Sequence, residues 1–276
     1  MTALQEWWLD FQDTFYRCFI EDDRWKYLTR GLGNTLLITL FALIIGVVLG
    51  VVVAIIRSSY DKNAENMRPG FGKVVMAILN FICKVYLTVI RGTPVVVQLL
   101  IGVFVIFLFM GDVTVACVVF GVNSGAYVAE IVRSGIMSID NGQFEAGRSL
   151  GFNYVQTMRH IILPQAFKNV LPALANEFIV LIKETSVAGY AGIIDLTKGG
   201  EIIRGRTFEA FMPLIAVAAI YLVLVLFFTW LVGKLEKKLR NETVRPVKGK
   251  ARVNNQELAA PVSSEAEIEE DKHNEQ

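Results

Sequence analysis

The feature that most constrains this chain is a series of apolar runs as long as a membrane is thick. Residues 35–56 read TLLITLFALIIGVVLGVVVAII, without one charge. A hydrocarbon core about 30 Å thick takes roughly 20 mostly apolar helical residues to cross. Residues 92–111 (GTPVVVQLLIGVFVIFLFMG), 113–129 (VTVACVVFGVNSGAYVA, slightly short) and 211–233 (FMPLIAVAAIYLVLVLFFTWLVG) also fit. A fifth run, 171–182 (LPALANEFIVLI), is short and carries Glu177. The chain is 54% hydrophobic, above the roughly 45–50% of soluble domains. These runs exclude a soluble globular protein and predict an all-α, polytopic membrane bundle. The net charge of +1 provides no field that would draw nucleic acid.

Basic residues tend to stay cytoplasmic, and this sets the number of passes. Arg57, Lys62, Arg68 and Lys73 follow the first run, Arg148 and Arg159 follow the third, and KLEKKLRNETVRPVKGKAR follows the last. All three groups share one side only if 171–182 also crosses. We therefore expect about five transmembrane helices, with the N-terminus outside and the C-terminus in the cytoplasm. The outer loop before residue 211, with Lys198, Arg204 and Arg206 against Asp195, Glu201 and Glu209, is a modest exception. Residues 1–30 form an external segment, and its Trp7, Trp8, Trp25 and Tyr27 suit the lipid–water boundary. Residues 31–240 form the transmembrane domain, and 241–276 a polar cytoplasmic tail expected to be disordered.

Residues 71–90 are apolar but broken by Lys73 and Lys84. They read as a tilted helix at the cytoplasmic face leading into the second span, with Arg91-Gly92-Thr93-Pro94 as the kink. Gly46-x-x-x-Gly50 and Gly121-x-x-x-Gly125 let helix backbones approach closely in lipid, within the chain or across a dimer. Cys18, Cys83 and Cys117 form no C-x-x-C pair and read as free, buried thiols.

One polar segment stands between the hydrophobic runs: EAGRSLGFNYVQTMRHIILPQAF, residues 145–167. Asp140 or Asn141 can cap a short helix running toward Leu150, with Gly151 in the left-handed position that ends it. Asn153 and Gln156 have the spacing of a capping box. A second helix is predicted to about Ile162, with Pro164 interrupting it and Pro172 opening the next span. A structured loop of this length, about 140–172, exceeds what joins two spans, and such loops are usually functional.

Glu145-Ala146-Gly147, three residues, Gly151, nine residues, then Ile161-x-Leu163-Pro164 resembles the EAA loop of ATP-binding-cassette (ABC) importer permeases. Gly147 stands where the family pattern has a second alanine. TRGLGNTLLIT, YLTVIRGTPVVVQ, NSGAYVAEIVRSGI and LPALANEFIVLIKETSV are similar to the polar-amino-acid branch, the histidine, glutamine and arginine type permeases. The resemblance implies that the helix around Glu145, Ala146, Gly147, Leu150, Gly151 and Phe152 couples to a cytoplasmic ATPase subunit. It also implies a second permease subunit, identical or a sister chain, and an extracellular solute-binding protein that delivers an amino acid. The setting it implies is a prokaryotic cell membrane.

The residues themselves agree with a non-catalytic subunit. No G-x-x-x-x-G-K-[ST] loop is present, so ATP and magnesium belong on a partner chain and no cofactor is expected on this one. His160 and His273, the only histidines, stand far from any ligand set, so no metal site is expected. Ionisable and polar groups inside spans are functional candidates: Asn123, Ser124 and Tyr127 in the third run, and Asn176, Glu177, Lys183 and Thr185 in the fourth. Glu177 is the deepest, and a substrate ammonium group suits its carboxylate. Glu130 and Arg133 lie nearer the cytoplasmic end, where an ion pair is expected. The reading is a permease subunit that lines a translocation path for polar amino acids. The alternatives are an ion-gradient-driven secondary transporter, whose internal repeats are not evident here, and a membrane scaffold.

Overall fold

The computed structural model describes residues 3–63 and 70–243. The chain divides into a unit Met1–Lys237 and a segment Lys238–Gln276, of which residues 238–243 are described and helical. The expected disordered tail beyond that point, and Arg68, lie outside the described residues. Every regular element described is helical: α1 (Ala3–Phe15), α2 (Trp25–Asn63), α3 (Phe71–Gly92), α4 (Val95–Ile101), α5 (Asp112–Met137), α6 (Asn141–Ser149), α7 (Tyr154–Thr157), α8 (Leu163–Glu184), α9 (Leu196–Thr207) and α10 (Phe211–Thr243). By length and composition four stretches can cross a membrane: Trp25–Asp61, Phe71–Gly92, Asp112–Met137 and Phe211–Leu239.

An uninterrupted span over 92–111 does not form. Thr93 and Pro94 are extended (ψ 143° and 136°), and after α4 the backbone widens into a π-turn over Gly102–Ile106. The stretch Val95–Ile106 rises only about 18 Å at 1.5 Å per residue. The second pass is instead shared with α3. Leu87 packs with Ala126 and Ala129, Gln98 bonds Asn123, and Gly102 lies against Val119. From Gln98 to Gly102 the contacts move toward the start of α5, so α4 runs antiparallel to α5 beyond the bend, while Tyr86 and Arg91 of α3 reach Val122 and Glu130. The bend is repaired chemically. Pro94 cannot donate to the Ile90 carbonyl four residues back, and the Gln98 amide donates to it at 2.7 Å instead.

The centre of the bundle is α2 laid parallel to α5. A Cβ on Gly50 would lie 2.6 Å from Val128, and one on Gly121 would lie 2.7 Å from Ile45. Both small-residue pairs are therefore used within the chain, as close-approach seams. The weak fifth run is helical, although it is not among the four stretches apolar enough to cross by composition. It lies inside α8, which runs antiparallel to α5: Gly135 abuts Val170 and Ser124 meets Glu177. It is less apolar than the other spans because much of it faces protein, not lipid. The expected break at Pro164 and fresh start at Pro172 do not occur. Pro164 falls in the first turn of α8, where its missing N–H costs nothing, and Pro172 lies within the helix. A π-turn at Met158–Ile162 joins α7 to α8.

α9 closes the end of the bundle opposite α6. Asp195 is fully buried and caps α9 by accepting from the backbone N–H groups of Thr197 and Lys198 at 2.9 and 3.0 Å. Burial pushes its carboxyl up, while those backbone donors pull it down. Gly31 and Gly199 bring α2 and α9 into backbone contact. Cys18 and Phe19 anchor the N-terminal segment against Leu196, Ile203 and Val217. On α1, Leu4, Trp7, Trp8 and Phe15 are exposed, as a helix at a lipid boundary requires. Cys18, Cys83 and Cys117 are free and buried.

Candidate functional site

The polar loop folds as its sequence directs. Asp140 caps α6 through the Gly142 N–H at 2.6 Å. At the other end Gly151 has φ +81°. Its N–H bonds the Arg148 carbonyl at 2.9 Å, and the Phe152 N–H bonds that of Gly147 at 3.0 Å. These two bonds are a Schellman stop, which needs a left-handed residue and so glycine. The Asn153 side chain then accepts from the Gln156 N–H, and the Gln156 side chain accepts from the Asn153 N–H, both at 2.9 Å. The capping box is complete.

The two short helices lock at Gly147, which is buried. A Cβ there would lie 2.6 Å from both Oγ1 and Cγ2 of Thr157. Thr157 is the partner that the sequence reading missed. It is 2% exposed and its hydroxyl has no hydrogen-bond partner, so it serves as a spacer. The outward side of the loop carries Glu145, Ala146, Ser149 and Gly151, with Leu150 and Val155 each 70% exposed. Phe152 is half-buried and tilts against His160, ring centroids 5.9 Å apart. The loop thus presents an exposed apolar tip beside Glu145 and Arg148 and is stiffened on its inner side. It joins α5 to α8 directly, so force on the tip reaches both.

The seven membrane-embedded candidates fall into two groups. Asn123, Ser124, Glu177 and Thr185 are buried. The Ser124 hydroxyl donates to Glu177 Oε1 at 2.9 Å, the Asn123 amide donates to Gln98 at 3.0 Å, and the Thr185 hydroxyl donates to the Ile182 carbonyl at 2.8 Å. Tyr127, Asn176 and Lys183 are exposed. Lys183 makes no ion pair with Glu177 among the described residues, and the two lie six positions apart on one helix, off a common face. Tyr127 carries the Arg91 guanidinium 5.6 Å from its ring centre. Glu130 is ion-paired as expected, to Arg133 at 3.3 Å, and also to Arg57 at 3.3 Å and Arg91 at 3.7 Å. Gln98 was also missed. Its position four residues after Pro94 was the available signal.

Residues 70–241 match the family described as binding-protein-dependent transport system inner membrane component. A putative glutamine transport system permease protein of Rickettsia typhi is 34% identical over 217 residues, covering 77% of this chain and 93% of that one. The arginine transport system permease protein of Bacillus subtilis is 36% identical over 219 residues, covering 78% and 93%. A crystal structure of an amino acid ABC transporter with histidines superposes with a TM-score of 0.68 at 38% identity, covering 77% of this chain and 94% of that one.

Proposed function

The chain belongs to the binding-protein-dependent transport system inner membrane components, and from that premise we propose how its parts serve transport. It is the membrane-spanning permease subunit of an ABC importer for polar amino acids. The hydrolytic chemistry belongs to a separate ATPase subunit. In our reading two ATPase subunits and a second permease subunit complete the machine, and a solute-binding protein delivers the amino acid at the α9 end. The positive-inside rule assigns the α6 end to the cytoplasm and the N-terminus to the outside.

The observation that carries the coupling role is the Gly147–Thr157 lock behind the exposed Leu150–Val155 tip. Glu145, Ala146, Leu150 and Gly151 enter a groove on the ATPase, with Gly147 and Phe152 holding their inner side. Closure of the ATPase pair on ATP pushes the tip, and α5 and α8 move with it because the loop between them is stiff. The test is Gly151→Val. A β-branched residue at φ +81° is strained by roughly 1–2 kcal/mol, which the nine-residue α6 cannot absorb without losing its stop. We expect normal membrane insertion, weakened ATPase capture and lost uptake. Wild-type uptake at equal expression would sink the assignment.

For the path, we propose that Glu177 receives the substrate's ammonium group, with Ser124 as its gatekeeper. Asn123, Tyr127, Asn176, Lys183 and Thr185 complete the wall. The Ser124 hydroxyl occupies the Glu177 oxygen that the ammonium would take. A second reading rests on that same bond: Glu177 as a polar bolt between α5 and α8.

A further inference from the structure

The ionic cluster at the α6 end of the bundle is not used by coupling or by the path. Glu130 is shared by Arg57, Arg91 and Arg133, and Arg133 also reaches Asp61 at 3.7 Å. Lys84 lines the same cleft as Arg57, Arg91 and Glu130 and makes no ion pair among the described residues. Four cations therefore face two carboxylates. The buried Arg57 Nε has no hydrogen-bond partner. The cleft, between α3 and the ends of α2 and α5, measures about 470 Å³. Also on α3, a second cleft of about 410 Å³ is lined by Phe81, Ile82, Val85, Tyr86, Val89 and Ile90; its near edge, Phe81 and Val85, stands three residues before Lys84 and Thr88 of the hollow, so the two are neighbours on the helix surface there. One helix thus presents a cationic hollow and, beside it, an apolar groove.

We propose that this pair of clefts holds one anionic phospholipid of the cytoplasmic leaflet. Its phosphate lies among Arg57, Lys84 and Arg91, and an acyl chain runs along the Phe81–Val89 groove. Charge complementarity selects the occupant. The hollow lacks about two negative charges, and basic pockets between helices on this side of a membrane recruit anionic headgroups. A substrate zwitterion brings no net charge to the hollow and would leave the groove bare. Free phosphate would satisfy the hollow but likewise leave the groove bare. A phospholipid fills both, and it ties Lys84 and Arg91 of α3 to Arg57 of α2.

The test is native mass spectrometry of the purified full-length chain after exchange into phosphatidylglycerol or phosphatidylcholine micelles. We expect selective retention of phosphatidylglycerol, lowered about fivefold by Lys84→Gln, since one cation near a charged lipid surface is worth roughly that factor. Lys84→Gln leaves every ion pair around Glu130 in place, so folding is not at stake, and Val85→Asn should weaken retention through the groove alone. Equal retention of the two lipids, or no effect of Lys84→Gln, overturns the site. Displacement of the lipid by inorganic phosphate assigns the hollow to a free anion and overturns the lipid. A Thr88→Cys disulfide between two chains in the native membrane assigns the face to a second permease copy and overturns it as well.

Discussion

Gly147 offers a sharp test of the coupling loop because the family pattern carries alanine at that position. A substitution toward the pattern is usually expected to help, and on propensity alone Gly→Ala in a helix gains about 1 kcal/mol. Here the added Cβ would sit 2.6 Å from Thr157 Oγ1 and Cγ2, and forcing a methyl into a packed contact costs about 1–3 kcal/mol. Overpacking wins or breaks even, and the strain falls between α6 and α7. Thr157→Ala removes both offending atoms and leaves the Thr157 Cβ 3.1 Å away, a contact that a small shift relieves. It costs little itself, because the lost hydroxyl has no partner. We therefore expect Gly147→Ala to lower uptake and ATPase stimulation several-fold with expression intact, Thr157→Ala to be near wild type, and the double variant to recover. The coupling from the cycle, read as uptake rate at matched expression, should be about 1–2 kcal/mol. A neutral Gly147→Ala, or a double variant no better than the single, would refute the lock.

Glu177→Gln keeps the size of the side chain and an oxygen for Ser124 but removes the charge. We expect a raised apparent KM with assembly intact, by on the order of 10-fold, since a charge-assisted hydrogen bond is worth roughly 1.5–3 kcal/mol. Unchanged kinetics would return Glu177 to the role of a bolt. For orientation, single cysteines replacing Ser149 and Phe208 in a cysteine-free background should differ in intact cells. Phe208, 92% exposed beyond α9, should label with an impermeant thiol reagent, and Ser149 should not; the reverse pattern would invert the topology.

Much of the fold was legible because lipid leaves so few options. A spanning backbone must satisfy itself, so apolar runs become helices, and residues 171–182, which the basic residues promoted, fall inside the long helix α8. The loop was equally legible: Gly151, Asp140 and the Asn153–Gln156 pair are local signals, and each formed the stop or cap that its chemistry requires. The error lay in the second pass. The kink at Arg91–Pro94 was read correctly from the missing N–H of Pro94, but hydropathy carried the span on to residue 111, whereas the helical stretch ends at Ile106. The repair of the kink by Gln98 is a side-chain event that no window average contains. Pro172 erred in the opposite direction. A proline was read as a boundary where the helix, held by α5 along its length, runs through it.

The partly legible site has the same cause. Thr157 against Gly147, and Arg57 and Arg91 against Glu130, act through contacts between separate elements, so no spacing reports them. Glu177 was visible as a misplaced charge, but its partner Ser124 lies 53 residues away. That distance also joins the two proposed functions. α5 carries Ser124 and ends at α6, and α8 carries Glu177 and begins where the loop returns. A push on the Leu150 tip that shears α8 along α5 by about 2 Å would stretch the 2.9 Å bond to about 3.5 Å, beyond useful hydrogen-bond range. The oxygen freed in this way is the one a substrate ammonium needs. Ligand binding at Glu177 and closure of the ATPase pair are then linked, and the linkage must be reciprocal. Gly151→Val should therefore weaken substrate binding to the assembled transporter as well as uptake, whereas a rigid bolt at Glu177 would leave binding untouched.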